Sequence, residues 1–439
     1  MKLNCDICIV GAGSGGVAAA YSAALHAPEK KIILIEKNSI LGGTSTIGGV
    51  NAWEPGVVGN GTLHRILFDQ LWKNREAIIC DYTSMTPMPY RAAFVSELHD
   101  CAYEDTCSCI SGRGRVVFDP HGMVRALEDA LNRFSNLQII LDCVLTGVHV
   151  NAQHITGIQA YHTLHNEPLE VQADLLIDST AEIVMAQMAG CQTVLSNAPN
   201  GLSQMFVIRR KEYRGIDPIP AWVLQTDAME WASKNGPCTI FNQYPNGMLN
   251  GNTLPTMDAC EYYAYGLNAR KNAIARTYAI WNIMQKNCGM DSYEICYLFP
   301  MLGIREGHRL TGRYLLTAEE MIKGAAAQKL RDHIIAWGDH SIDFHYADDP
   351  QDSQCIDMKQ PYGIPYECLL PNELDNLIVA CRGISLTHTA AASCRLQRTI
   401  LQIGEAAGIA AAYCHSDFGE VSAQKIHTQM VEDSQKTIA

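Results

Sequence analysis

Nowhere does this 439-residue chain run apolar for the roughly 20 residues that a membrane-spanning helix needs. Its richest apolar region, near the C-terminal end, is interrupted by Arg382, His388, Arg395 and Arg398. Positive charge is also short. The 33 Lys and Arg stand against 46 Asp and Glu, a formal net charge of −13, which argues against a nucleic-acid surface or an anionic membrane as partner. The first apolar segment runs as a strand into a glycine loop and has no small-residue cleavage site, so no secretory leader is expected. Internal repeats and low-complexity tracts are lacking too. These absences predict a soluble, cytoplasmic protein.

Cysteine, by contrast, is plentiful, with 17 residues scattered along the chain. Cys8, Cys191, Cys296 and Cys414 sit inside apolar runs, where a free thiol acts as a small hydrophobe. Cys5 and Cys8 are spaced C-x-x-C, but strand alternation places them on opposite faces, so a redox pair is not expected. Cys101, Cys107 and Cys109 lack the second cluster or His pair that would complete a metal site. The thiols read as reduced, and no metal is expected.

The most informative segment is Cys5 to Gly16, a short apolar strand ending in Gly11-Ala12-Gly13-Ser14-Gly15-Gly16. Gly11 allows a tight turn, Gly13 allows a pyrophosphate to approach the backbone, and Gly16 allows the next helix to pack on the sheet. The N–H groups at that helix start, beginning with Ser14 and Gly15, then face the phosphates. An Ala-rich helix from Val17 to Ala27 and a second strand from Lys31 to Ile35 follow. Glu36 closes that strand, where a carboxylate can accept hydrogen bonds from a ribose.

A chain this long exceeds one compact core, so two domains, or one with large insertions, are expected. The spacing predicts a helix over His121 to Phe134, and strands at Gln138 to Leu141 and Val144 to Val150. A meander through Ile155 to Ile158 and Leu169 to Val171, a strand at Leu175 to Asp178 and a helix over Ala181 to Gly190 come next. Residues 195 to 300 mix aromatics and Met with turn signals and contain a helical run, Ala259 to Met284. Gly59 to Gly61 follows no convincing strand, so no second dinucleotide site is expected there. Near the end, Asn376 to Ala380 reads as a buried strand, and Gly404-Glu-Ala-Ala-Gly408 as the opening of a small-residue helix that reaches Tyr413.

Several blocks together resemble the FAD-dependent oxidoreductases of the glutathione-reductase-like, two-dinucleotide-binding superfamily. They are the N-terminal glycine motif with Glu36-Lys37 and Gly42-Gly43-Thr44; the run Gly303-Ile304-Arg305-Glu306 with Arg309 and Gly312; Ile364-Pro365-Tyr366; and the stretch from Asn376 to Gly408. The chain departs from the family pattern at Gly307-His308 in place of Ser-Arg, at Ser179-Thr180-Ala181-Glu182 in place of an "ATGD" run, at Cys381 and at Glu405. The resemblance implies an α/β fold, with a discontinuous Rossmann-like FAD-binding domain and an inserted α+β cap or substrate domain. It assigns 1–50, 115–195, 300–330 and 362–439 to the FAD-binding part, and 51–114, 196–299 and 331–361 to the cap.

FAD is the implied cofactor. Gly11, Gly13, Ser14, Gly15, Gly16, Glu36, Lys37, Gly43, Thr44, Val144 and Thr180 are the implied contacts of the ADP half. Arg382, Gly404, Ala406 and Ala407 are those of the flavin end. Glu405 is expected to point away from the ring, because a carboxylate there would repel reduced flavin.

A group that moves a proton beside hydride transfer is best supplied by His, whose ordinary pKa lies near neutrality. His388, in the turn Ser385 to Thr389, is the candidate, with a backbone-bonding role as the alternative. Arg305 and Arg309 fall on one side if their segment is helical, and could clamp a substrate carboxylate. A structural ion pair is the alternative for Arg309 and for Arg395, and loop shaping for His345. Trp53 is a candidate to flank the ring or to stand exposed on the cap. The expected activity is hydride transfer between a small polar organic substrate and flavin N5. An NAD(P)-dependent dehydrogenase and a flavin-bearing noncatalytic or assembly subunit are the alternatives, and a homodimer is left open.

Overall fold

A computed structural model describes residues 1–54, 61–81, 114–236, 239–253, 256–346 and 354–438. The central sheet is built from β1 (Lys2–Val10), β2 (Ile32–Ile35), β3 (Leu137–Ile140), β4 (Cys143–Asn151), β5 (His154–His162), β6 (Glu167–Asp178) and β7 (Leu377–Val379). Strands β3, β2, β1, β6 and β7 run parallel in that order. Ile32 to Ile35 and Ile7 to Val10 are buried throughout, as expected for strands covered on both faces. The two separate strands read near Leu169 and Leu175 are one strand of 12 residues. Its first half, Glu167 to Gln172, pairs antiparallel with β5, and Glu170 to Asp178 pair parallel with β1. A single strand thus joins the meander to the parallel layer.

The helices that matter for the site are α1 (Ser14–His26), α2 (Thr62–Lys73), α3 (Pro120–Leu131), α4 (Val184–Met188), α5 (Ala259–Tyr265), α6 (Ala269–Asn287), α7 (His388–Ala391) and α8 (Gln397–Tyr413). Helix α4 is shorter than the sequence suggested, because Ala181 and Ile183 adopt left-handed backbone angles (φ 66 and 48°) before it begins. The helical run from Ala259 breaks at Gly266 (φ 53°) into α5 and α6. An antiparallel sheet carries the 196–299 region, its strands Thr239–Gln243, Leu249–Thr253, Met205–Arg210 and Tyr293–Leu298 lying in that spatial order.

Asp6 and Ile7 both donate their N–H groups to the Lys31 carbonyl, a local irregularity in β1. The neighbouring Cys5 thiol and burial push the Cys8 pKa well above its usual value. Such a thiol is inert, which agrees with a reduced, structural pair. One expectation fails at Gly404 to Gly408. Helix α8 begins at Gln397, so this stretch lies mid-helix. A Cβ on Gly404 would overlap the Gly15 carbonyl, and one on Gly408 the Ala19 carbonyl. Ala406 and Ala407 are fully buried. The small residues let α8 and α1 pack backbone to backbone.

The Glu405 side chain turns toward α2. Its carboxylate accepts from the Thr62 and Leu63 N–H groups (3.0 and 2.8 Å) and so satisfies the start of α2 from a neighbouring helix. Burial, against those two hydrogen bonds, raises its pKa to about 7. Between the unfolded value of 4.5 and about 7, the folded chain keeps a proton that the unfolded chain releases. Stability therefore falls as pH rises through that window, by about 3 kcal/mol at roughly 1.4 per unit. Urea midpoints of wild type and Glu405→Gln at pH 5 and pH 8 test this. The variant is expected to lose that part of the decline, and an unchanged decline contradicts it.

Candidate active site

The carboxyl ends of β1, β2, β6 and β7 open onto one edge, the crevice where parallel α/β sheets bind ligands. The glycines there behave differently from one another. A Cβ on Gly11 (φ 93°) would meet the Ser179 carbonyl, one on Gly15 would overlap the Ala380 carbonyl, and one on Gly16 the Gly11 carbonyl. Gly13 faces open space, with nothing within 4 Å of a Cβ. Helix α1 starts beside it with no side-chain cap and no acidic residue in its first turn. Gly42 (φ 98°) donates to the Ala12 carbonyl at 2.8 Å, and a Cβ on Gly43 would stand 3.1 Å from the Gly13 Cα. Thr44 lies in the short turn of helix Gly43–Ser45.

Glu36 is buried at the end of β2. Its carboxylate accepts from the Ala12 N–H (2.6 Å) and from the backbone and side chain of Asn38. Lys37 is exposed. Val144 is partly exposed on β4, next to Cys143, whose N–H donates to the Glu36 carbonyl. Thr180 donates through N and Oγ1 to Asp178 and accepts from the Val184 N–H, which ties the loop after β6. An uncapped helix start, an open Gly13 and a buried terminal carboxylate together fit the pyrophosphate and ribose of a dinucleotide.

Beyond the cradle, the residues 301–310 are not helical; Arg309 begins a two-residue strand. Arg305 and Arg309 consequently diverge. Arg309 is buried and spends its guanidinium on Glu306, on Ser196 Oγ (3.0 Å) and on the Leu386 carbonyl (3.0 Å). These contacts are those of the structural ion pair that stood as the alternative to substrate binding. Trp53 is corrected. It is buried against His64 and Phe118, and its indole donates to Gln397 Oε1 at 3.0 Å.

His388 opens α7 behind Thr387, whose hydroxyl accepts from the Ala390 N–H. Its Nδ1 lies 2.9 and 2.8 Å from the two oxygens of Glu306. The His388 side chain is 31% exposed and the Glu306 side chain only 2%, so the carboxylate stands behind the ring, away from solvent. Phe344 packs on the imidazole with ring centres 5.0 Å apart. Burial alone would raise the Glu306 carboxyl. The His388 hydrogen bond, the Arg309 charge and the Asn200 N–H outweigh it and hold the group ionised, below its ordinary range.

A second carboxylate, Asp343, gathers His345 Nε2 (2.8 Å) and Arg395 Nη2 (3.0 Å). Burial lowers the His345 pKa against the opposing Asp343 bond, with the Arg305 charge adding to the lowering. Arg305 donates to the Gly201 carbonyl (2.7 Å) and Ser203 Oγ (2.9 Å). Asn200 joins the two groups: its N–H donates to Glu306, its Nδ2 to the Asp343 carbonyl, and its Oδ1 accepts from the His345 N–H. The sequence reading missed Glu306, Asp343 and Asn200. Glu306 was visible beside Arg305, and Asp343 in Asp-x-His. Asn200 gave only a turn signal. Cys101, Cys107, Cys109 and Gly59 lie outside the described residues, and no cluster that could hold a metal occurs among the described ones.

A family model described as FAD dependent oxidoreductase matches residues 6–436. The chain belongs to that family. FAD is its cofactor, and the NAD(P)-dependent and noncatalytic alternatives fall away with that membership. No curated protein matches the sequence. Among solved structures, a geranylgeranyl bacteriochlorophyll reductase-like protein from Thermoplasma acidophilum is 12% identical, over 100% of this chain and 84% of that one, at a TM-score of 0.46. A flavoprotein/dehydrogenase from Cytophaga hutchinsonii is 10% identical over 93% and 78%, at 0.45. An E. coli quinol fumarate reductase is 14% identical over 99% and 74%, at 0.42. These superpositions are loose, and family membership rests on the sequence model. No helix among the described residues is long and apolar enough to cross a membrane.

Proposed function

We propose that this family member transfers a hydride between FAD and a small, polar, anionic organic substrate, with His388 moving the accompanying proton and Arg305 holding the substrate. Bound FAD supplies the two-electron chemistry, as hydride acceptor or donor at N5. The supporting observation is the His388–Glu306 pair. An ionised, buried carboxylate fixes Nδ1–H as the donor to Glu306, which leaves Nε2 to take or give a proton. In oxidation Nε2 would accept the proton of an O–H or N–H group. In reduction it would return one to the product.

Arg305, oriented by its bonds to the Gly201 carbonyl and Ser203 Oγ, would attract the substrate's carboxylate by its charge. His345 and Arg395, both fixed by Asp343, would line the same side. The pyrophosphate would lie on Gly11, Gly13, Ser14, Gly15 and Gly16, and the ribose on Glu36. Gly43 and Thr44 would close the cradle from the following loop. Residues 1–50, 115–195, 300–330 and 362–439 would then form the cofactor domain, and the rest the cap.

Anaerobic mixing of the yellow holoprotein with a panel of hydroxy, amino and unsaturated acids, followed by absorbance of the flavin, tests the activity. One acid is expected to bleach the flavin, or to reoxidise it after dithionite. With that acid, Arg305→Gln is expected to raise KM about tenfold or more and to change kcat less. An unchanged KM removes Arg305 from substrate binding.

A further inference from the structure

The end of the sheet that holds the glycine loop is also closed by a charged network built from the positions where the chain departs from its family's pattern. Glu182 lies between Ala181 and Ile183, whose left-handed backbone is rare for any residue with a Cβ and most unusual for a β-branched one. Its carboxylate accepts from Arg382 Nη2, from the Tyr263 hydroxyl and, at 3.3 Å, from the His308 N–H. The His308 ring stands 3.6 Å away and packs against Tyr263. Gly307 is required there, since a Cβ at that position would overlap Glu182 Oε2. Two departures therefore compensate each other: a longer carboxylate at 182 takes the room left by a glycine at 307.

Arg382 uses Nη2 on Glu182, but its Nη1 is buried and has no hydrogen-bond partner within the protein. A buried guanidinium N–H without an acceptor is costly, and a ligand oxygen would satisfy it. The surroundings say which ligand. Ser179 abuts Gly11, and Ala380 abuts Gly15, so the segments carrying Glu182 and Arg382 continue directly from the wall of the dinucleotide cradle. We infer that Arg382 Nη1 donates to a pyrophosphate oxygen of FAD, and not at the flavin end that the resemblance implied, with Glu182, Tyr263 and His308 as positioning residues. Tyr263 belongs to α5, inserted far from the glycine loop in sequence, so cofactor affinity depends in part on the cap.

The test uses the full-length holoprotein. FAD release on dilution is followed by the recovery of its fluorescence, and ADP is added as a competitor. Arg382→Gln is expected to weaken FAD by about tenfold or more, and ADP in parallel, as for loss of one charge-assisted hydrogen bond. Tyr263→Phe is expected to weaken both by a smaller factor. Gly307→Ala is expected to weaken both, and Glu182→Asp in the same chain to restore them.

Melting temperatures of the FAD-stripped variants separate this role from a purely structural one. Lower melting temperatures with FAD and ADP affinities unchanged within twofold overturn the inference. Weakened FAD with unchanged ADP overturns the pyrophosphate contact. Should Arg382→Gln fail to fold, Arg382→Lys, which keeps the charge but not the fork, is expected to bind both ligands more weakly than wild type, and wild-type affinities in it contradict the contact.

Discussion

Gly13→Val is expected to yield a folded protein that purifies colourless. The backbone at Gly13 is extended (φ −71, ψ −172°), a conformation open to valine, and an added Cβ meets no protein atom within 4 Å. A bound pyrophosphate would collide with the new side chain. Overpacking typically costs 1–3 kcal/mol, which at 3 kcal/mol is about a hundredfold in FAD affinity. The flavin absorbance per mole of purified protein reports it, with circular dichroism as the check on folding. Gly15→Val is the contrasting case. Its Cβ would overlap the Ala380 carbonyl, so it should lose fold and colour together. A yellow Gly13→Val protein contradicts the placement of the pyrophosphate.

Glu306→Gln is expected to have the largest effect on stability. Glu306 neutralises Arg309, with both side chains nearly inaccessible (2 and 4% exposed), and also accepts from Ser196, Asn200 and His388. Removing the charge leaves a buried guanidinium uncompensated, for which about 3–5 kcal/mol is typical. The pH dependence carries the same sign. The folded pKa of Glu306 lies below its unfolded value, so its stabilisation is complete above about pH 4.5 and fades as pH falls through the lowered value. Urea unfolding at pH 7 and in mild acid checks both points. A loss under 1 kcal/mol at pH 7 contradicts the ion pair's role.

How much of this was legible depends on whether an interaction is local. The first βαβ unit was readable because its signals lie within 36 residues: an apolar strand, a glycine turn, an Ala-rich helix and a closing Glu36. His388 was readable as a candidate, but its partner Glu306 lies 82 residues away, brought in by the loop that also carries Arg305. Asn200, which links the two carboxylates, has no sequence signature beyond a turn.

Where the reading failed, tertiary packing had overridden a local pattern. Small residues at Gly404 to Gly408 resemble a ligand-binding helix start, yet they serve contact with α1. Arg305 and Arg309 would share a side only in a helix, yet pairing of Arg309 with Val194 draws that segment into a strand. Trp53 was a candidate ring-flanking aromatic and is packed against His64 and Phe118, its indole bonded to Gln397.

The central claim is that His388, backed by Glu306, moves the proton that accompanies hydride transfer. The most direct measurement is stopped-flow reduction of bound flavin by the acid found in the anaerobic screen, in wild type and in His388→Gln, across pH 5 to 9. The variant is expected to retain FAD and to reduce it about 10²–10⁴ times more slowly. Equal rates in a variant with full FAD content contradict it.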